Sequence, residues 1–354
     1  MEQAIEFNHK YEIIADLLLQ EIKQRKFQTN QKFYSETELC NRFKVSHMTI
    51  RQAIGTLVAQ NLLYRKQGSG TYISDSKKQR TKMLGVLLPG EYAGEFFSAI
   101  LKGIDDVSSV NGYHQIVKFS GLAAEREKQC LEELLEAKVD GIILDFNHPE
   151  HSKSNVEFLI KHKVPFVLID RHFPELQTDY VGFDNFEAGR IATNYCIERG
   201  HRNIAFVSIR PTDYSPVVTR LNGYNSVLRD AGLVPNVIKC EDGNVLKAEI
   251  KALLNMKNPP TAIVTDRLNE VIEIAKESGL QLAQDISVIK FGHISDPFSF
   301  FTYIDTPAGK MAQKATEILI NKINTETYSE KCIIELKPKL ITGNSVMAPV
   351  MAKP

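Results

Sequence analysis

Residues 35–73 read SETELCNRFKVSHMTIRQAIGTLVAQNLLYRKQGSGTYI. Ser35 followed three residues later by Glu38 is the pattern of a capping box, and it predicts a short helix to about Phe43. The chain then turns through Lys44 and Val45, and Ser46 stands where it caps a second helix reaching roughly Asn61. Beyond it come Leu62-Leu63-Tyr64, a glycine turn at Gly68-Ser69-Gly70, and Tyr72-Ile73, which together spell a hairpin. Two helices on a three- or four-residue turn followed by a hairpin make a winged helix-turn-helix. Such a unit places its second helix in a DNA major groove.

Around this unit, Tyr11–Ile22 carries apolar residues near helical spacing and supplies a third helix packed across the other two. Ile50, Ala53, Ile54, Leu57 and Val58 form the inward face of the second helix. His47, Met48, Thr49, Arg51 and Gln52 are left near the open side. Ser46, Thr49 and Arg51 are therefore candidates for contact with DNA, and Arg42 and Lys44 for clamping its backbone. In the wing, Lys66 and Gln67 beside Gly68 and Gly70 suit a minor groove, because glycine lets backbone come close. The plainer alternative is a set of solvated helix residues and an ordinary hairpin. The order in which the pieces occur weighs against it.

The totals agree with a divided molecule. A chain of 354 residues fits two or three domains. Formal net charge is zero, yet residues 1–80 hold thirteen Lys/Arg against eight Asp/Glu, so the remainder is acidic. A basic head implies that nucleic acid touches only the first part. Five widely spaced cysteines (Cys40, Cys130, Cys196, Cys240 and Cys332) without a CxxC or Cys/His cluster point to free thiols in a reducing cytoplasm, with no metal and no cofactor. The opening MEQAIEFNHK lacks the basic and apolar regions of a signal peptide, and no run of about 18 apolar residues offers a membrane span. The expectation is a cytoplasmic protein with no membrane partner.

Residues 75–82 are polar, basic and aperiodic, and read as a linker between a head at 1–74 and a large domain at 83–345, with a tail at 346–354. From Met83 the pattern becomes alternating strands and helices: LGVLLP, helix 95–110, HQIVKFS, helix 123–137, GIILDF, helix 155–162, FVLIDR. A second set follows: helix 185–199, IAFVS, helices 220–231 and 246–254, TAIVT, helix 269–278, SVIKF and helix 307–325. The fold class is α/β, with two doubly wound parallel sheets behind an α+β winged head. Ligands of such sheets bind at the carboxyl ends of the strands, here between two lobes. Asp184, Asn185 and Glu187 read as a helix start and Gly200 as its stop.

Residues 9–73 resemble the winged-helix domain of the GntR family. The family motif V-S-R-x-T-V-R-x-A-L appears here as Val45-Ser46-His47-Met48-Thr49-Ile50-Arg51-Gln52-Ala53-Ile54. The resemblance implies base reading at the position occupied by His47, where the family has arginine. A second family arginine, in S-E-R-E-L, is Thr37, beside the capping Ser35. Both substitutions imply altered guanine reading. Residues 83–345 are similar to the effector domain of the LacI/GalR family and to periplasmic sugar-binding proteins. Asp140-Gly141-Ile142-Ile143, Val167–Arg171, Val181–Asn185, Gly200–Ile204, Gly223-Tyr224 and Asp285–Ile289 carry that likeness.

By position, the resemblance puts Asp170, Arg171, Arg190, the loop Arg210–Ser215 and Arg220 in a ligand cleft, with Tyr92 or Phe96 as an apolar wall. Carboxylates and guanidiniums suit sugar hydroxyls. Interlobe salt bridging is the plainer role for Asp170 and Arg220, and solvent exposure for Arg190. Where the family has A-x-N-D this chain has Thr265-Asp266-Arg267-Leu268, and after its next strand Gly292-His293. Arg267 and His293 thus join the candidates, and the gain of positive charge points to a sugar acid or sugar phosphate. The leading expectation is a dimeric, effector-controlled DNA-binding repressor of carbohydrate genes. An activator is the variant of it, and a solute-binding transport protein the competing class. An enzyme is not expected, since no nucleophile–base pair or phosphate-cradling loop appears.

Overall fold

Ser35 Oγ accepts from Glu38 N at 3.2 Å and Glu38 Oε2 from Ser35 N at 2.7 Å, so the capping box forms as the sequence prescribes. The computed structural model describes residues 2–24, 27–28, 30–59, 62–74, 80–90, 95–121, 123–146, 149–209, 216–240, 242–294, 300–325 and 330–349. The chain divides into two units, residues 1–80 and 81–354. Tyr92, Arg210 and the rest of the loop to Ser215, named above as cleft candidates, lie outside the described residues.

The first unit holds α1 (Glu2–Lys23), α2 (Glu36–Phe43), α3 (His47–Ala59), β1 (Leu63–Lys66) and β2 (Gly70–Ile73). Ile14, Leu18, Leu39, Ile50, Ala53, Ile54 and Leu57 close a three-helix core, with Leu63 and Ile73 sealing it from the hairpin. Lys44 stops α2 in the left-handed region, φ 53°. β1 and β2 pair antiparallel from Leu63↔Ile73 to Lys66↔Gly70. Phe33 N donates to Thr71 O at 2.9 Å, and Lys32 bridges Tyr72, which adds a short third edge to the wing.

The second unit contains two six-stranded sheets. The first runs β13-β7-β6-β5-β3-β4, built from β3 (Met83–Leu88), β4 (His114–Phe119), β5 (Gly141–Leu144), β6 (Phe166–Ile169), β7 (Tyr180–Phe183) and β13 (Ile333–Leu336). The second runs β14-β12-β11-β10-β8-β9, from β8 (Ile204–Ile209), β9 (Asn236–Cys240), β10 (Ala262–Thr265), β11 (Ser287–Phe291), β12 (Thr302–Asp305) and β14 (Lys339–Ile341). β14 runs antiparallel on β12, and the other pairings in both sheets are parallel. Buried runs such as Leu84–Leu88 and Ala262–Thr265 are what a sheet covered on both faces requires.

The helices are α4 (Glu95–Ser108), α5 (Ala124–Glu136), α6 (Pro149–Lys161), α7 (Asn185–Glu198), α8 (Pro216–Asp230), α9 (Gly243–Leu254), α10 (Leu268–Glu277) and α11 (Ala308–Thr325). α6 starts at Pro149, ahead of the Asn155 expected from the sequence. The chain crosses between the lobes three times: after β7 into α7, after β12 into α11, and from β13 to β14. Three short crossings leave each lobe with its own core and make them the natural hinge. In each lobe one helix pair packs backbone to backbone across glycine, Gly103 of α4 on α11 and Gly189 of α7 on α8.

Candidate functional site

In the head, the start of α3 presents His47, Met48 and Arg51, with side chains of Arg51 and His47 at 67% and 59% exposure. Thr49 does not join them. It is 2% exposed, and its hydroxyl lies 3.0 Å from Ser46 Oγ, which also accepts from Thr49 N. Its hydroxyl therefore seals the helix start instead of reaching a base. Arg42 is likewise engaged inside the unit: it is ion-paired to Glu21 of α1 and lies over the rings of Tyr34 and Phe43. That is an inter-helix tie, made by a side chain that remains 46% exposed. Thr37, Lys44, Lys66, Gln67, Gly68 and Gly70 are exposed, while the Ser35 hydroxyl is committed to the cap. Gly68 and Gly70 both have positive φ, 72° and 119°, which the tight wing turn needs.

Glu36 is the residue that sequence reasoning missed here. Its Oε2 accepts from Arg51 Nε at 2.8 Å and lies 3.9 Å from His47 Nδ1. Holding Arg51 by Nε leaves its two terminal nitrogens to form the fork that matches guanine O6 and N7.

In the second unit a cleft of about 960 Å³ opens between the lobes. It is lined from the carboxyl ends of β5, β6, β10 and β11 and the first turns of α4, α8, α10 and α11. Phe96, Asp170, Arg171, Arg220, Arg267 and His293 all line it. Arg190 does not: it sits 40% exposed on α7, paired to Glu187 at 2.9 Å. Phe96 stands edge-on to Phe97 at 5.6 Å and supplies the aromatic wall.

The N-terminal wall is organised by a buried pair. Arg171 NH1 donates to Asp145 Oδ1 and to Phe146 O, both at 2.9 Å. Asp145 is 1% exposed; burial pushes its carboxyl up to about 7, against the opposing pull of Arg171. Asp170 beside it holds φ 61°, unusual for a side-chain-bearing residue. Its conformation is fixed by Asp170 N donating to Val181 O at 3.1 Å and by Tyr180 OH donating to Asp170 O at 3.3 Å.

On the C-terminal wall Asp266 accepts from Ser208 Oγ at 2.8 and 2.9 Å and lies 3.8 Å from Arg220 NH1. Burial raises its pKa, and Arg220 and Ser208 oppose the rise. Arg220 Nε donates to Asn185 Oδ1 at 2.9 Å, and its guanidinium lies 5.4 Å from the Phe291 ring centroid. Arg267 is ion-paired to Glu270, and His293 Nδ1 stands 2.9 Å from Asp305 Oδ1. The cleft therefore keeps an acid, Asp266, one position ahead of Arg267, and each described arginine in it has a carboxylate neighbour. The expected excess of positive guanidinium charge is not present. Donors and acceptors alternate instead, an arrangement suited to hydroxyl groups.

Comparison with known proteins matches residues 10–73 to the bacterial regulatory proteins of the gntR family and residues 84–326 to the periplasmic binding protein domain. The arabinose metabolism transcriptional repressor of Geobacillus stearothermophilus is 27% identical over 361 residues, covering 95% of this chain and 97% of that protein. The HTH-type transcriptional regulator GntR of Escherichia coli K12 is 28% identical over 278 residues, covering 75% and 81%. Among solved structures, a transcriptional regulator CelR–cellobiose complex superposes with a TM-score of 0.65 at 23% identity, covering 85% of this chain and 91% of that one. The second unit shares its fold. The chain belongs to the periplasmic-binding-protein domain family and carries a gntR-family winged helix ahead of that domain.

Proposed function

We propose that this protein is a transcriptional repressor whose hold on operator DNA is set by a sugar bound between the lobes of its second unit. The observation that carries the reading is one chain bearing both a helix end that displays a braced Arg51 and a roomy cleft of alternating acids and bases. The Geobacillus relative is a repressor of arabinose metabolism by name, and the CelR structure holds cellobiose, which supports a carbohydrate effector and carbohydrate-utilisation genes as targets. Asp170 and Asp266 accept hydrogen bonds from hydroxyls, Arg171 and Arg220 donate to ring and hydroxyl oxygens, and Phe96 covers the apolar face of the sugar.

A homodimer reading two half-sites fits this scheme. Sugar closes each pair of lobes about the three crossings and changes the spacing of the two heads. Linkage makes the effect reciprocal: operator must change sugar affinity by the same factor as sugar changes operator affinity. The test is a band-shift titration on the DNA upstream of the protein's own gene with a sugar panel, paired with a reporter that separates repression from activation. An operator affinity indifferent to every sugar would sink the reading.

Arg51→Ala should weaken operator binding by about 1–3 kcal/mol, roughly 5- to 150-fold, if the fork reads a base. Fluorescence anisotropy at fixed salt measures it, and unchanged affinity would remove Arg51 from the reading face. Glu36→Gln should give a smaller loss in the same direction, because Arg51 survives without its brace.

A further inference from the structure

Lys290, at the end of β11, lines the cleft with its amine half-buried. Nζ donates to the backbone oxygen of His293 at 2.5 Å, and no described carboxylate lies within 4 Å of it. Glu95 on the facing wall and Asp266 are the acids that feel it, from beyond ion-pair reach. The contrast with its neighbours is sharp, since Arg171, Arg220 and Arg267 all have a carboxylate at hand. Burial lowers the pKa of the amine, and the more distant Glu95 and Asp266 oppose the fall.

Two further features face the same corner. α10, ten residues long, begins at the cleft with Arg267 as its N-cap, and its first-turn amides receive no side-chain hydrogen bond from that residue. The Nε of Arg267 is buried with no hydrogen-bond partner, although its NH2 is held by Glu270. Room is present as well: Gly292, at φ 101°, has no side chain, and a Cβ there would stand 3.7 Å from the Lys290 amine. A helix start without a side-chain cap and an ammonium with no carboxylate in ion-pair reach together form a receptor for an oxyanion.

The geometry points to an oxyanion subsite at Lys290 and the first turn of α10, so that the effector is a sugar carrying a carboxylate or phosphate. This rests on the sugar-effector reading above and adds its chemical class. It also orients the ligand. Hydroxyls face Asp170 on the N-terminal wall, and the anionic substituent faces Lys290 on the C-terminal wall. A neutral sugar would leave the ammonium without the charge that offsets its desolvation. The basis differs from the arginine excess expected from sequence, because those arginines are neutralised in place.

The test is calorimetry on the full chain with matched ligands: L-arabinose, L-arabinonate and arabinose 5-phosphate, with xylulose and xylulose 5-phosphate as a second series. In at least one series the anionic member should bind about tenfold or more tighter than its neutral parent. The carboxylate and phosphate arms tell the two sources of the oxyanion apart. Lys290→Gln should bring that ratio toward one, and Lys290→Arg should retain it. Neutral parents binding as tightly as their anions, with operator affinity still responding, would overturn the subsite while leaving the sugar reading intact. A ratio unmoved by Lys290→Gln would also overturn it. No response of operator or heat to any member would overturn the sugar reading itself.

Discussion

Gly189→Ala should cost the second unit about 3 kcal/mol or more, near or above the top of the usual range for overpacking. A Cβ at Gly189 would stand 2.0 Å from the carbonyl oxygen of Arg220, and one at Gly223 would stand 2.1 Å from that of Phe186. Both obstacles are backbone, so no side chain can rotate away; α7 and α8 would have to separate. Every kilocalorie lost in a domain of this size lowers Tm by about 2–4 °C, so a fall of roughly 6–12 °C is expected in a thermal melt. The effect should reach function too, because the displaced carbonyl belongs to Arg220, whose guanidinium lines the cleft. Sugar affinity should therefore fall together with Tm. The α4–α11 pair provides an internal contrast. Gly103→Ala would drive a Cβ to 2.3 Å from Gly309 O, whereas a Cβ at Gly309 meets only Ala99 O at 3.3 Å. Gly309→Ala should be the milder change by a wide margin, and equal losses would contradict the close approach.

How much of this was legible in the sequence depended on how local the cause was. The capping box at Ser35 and Glu38, the helix start at Asp184, whose carboxylate accepts from Glu187 N at 2.9 Å, and the glycine wing all act within three or four residues and could be read directly. Thr49 misleads because His47, Met48 and Arg51 around it are exposed, while the turn of the helix takes its side chain under Ser46. Strands β7, β12 and β14 were not anticipated, nor were the edge strands β9 and β13. Both are short and half-exposed, so they lack the continuous apolar run that marks β3 or β10. Cleft pairings were out of reach, because Asp145 and Arg171 lie 26 residues apart and Ser208 and Asp266 lie 58 apart. They meet only because parallel strands bring their carboxyl ends into one row. Lys290 reads in sequence as the polar member of SVIKF, and only that row turns it into the cleft.

Asp145→Ala should be the most damaging single change on the cleft wall, costing about 3–5 kcal/mol at neutral pH. Asp145 Oδ1 accepts from both Arg171 NH1 and Phe146 N. Without it, a guanidinium only 14% exposed keeps its full charge and loses the buried carboxylate beside it, while still donating to Phe146 O. Arginine cannot shed its proton to escape. The reverse change, Arg171→Ala, should cost less below neutral pH, because the stranded carboxyl can take up a proton. Burial already holds Asp145 at about 7, well above the ordinary carboxylate value, and losing the opposing pull of Arg171 raises it further. For a carboxyl raised in the folded state, the stabilising contribution is complete below the unfolded value and is lost as pH rises through the folded one. The deficit of Arg171→Ala should accordingly grow as pH rises above about 7, where the wild-type carboxyl has ionised and the variant's has not, while that of Asp145→Ala should shrink between pH 5 and pH 7, because only the wild type loses this contribution there. Urea melts of both variants across these pH ranges separate the two cases. A pH-independent deficit in Arg171→Ala would mean that removing the guanidinium leaves the affinity of Asp145 for its proton unchanged, and that Arg171 exerts no pull on the carboxyl.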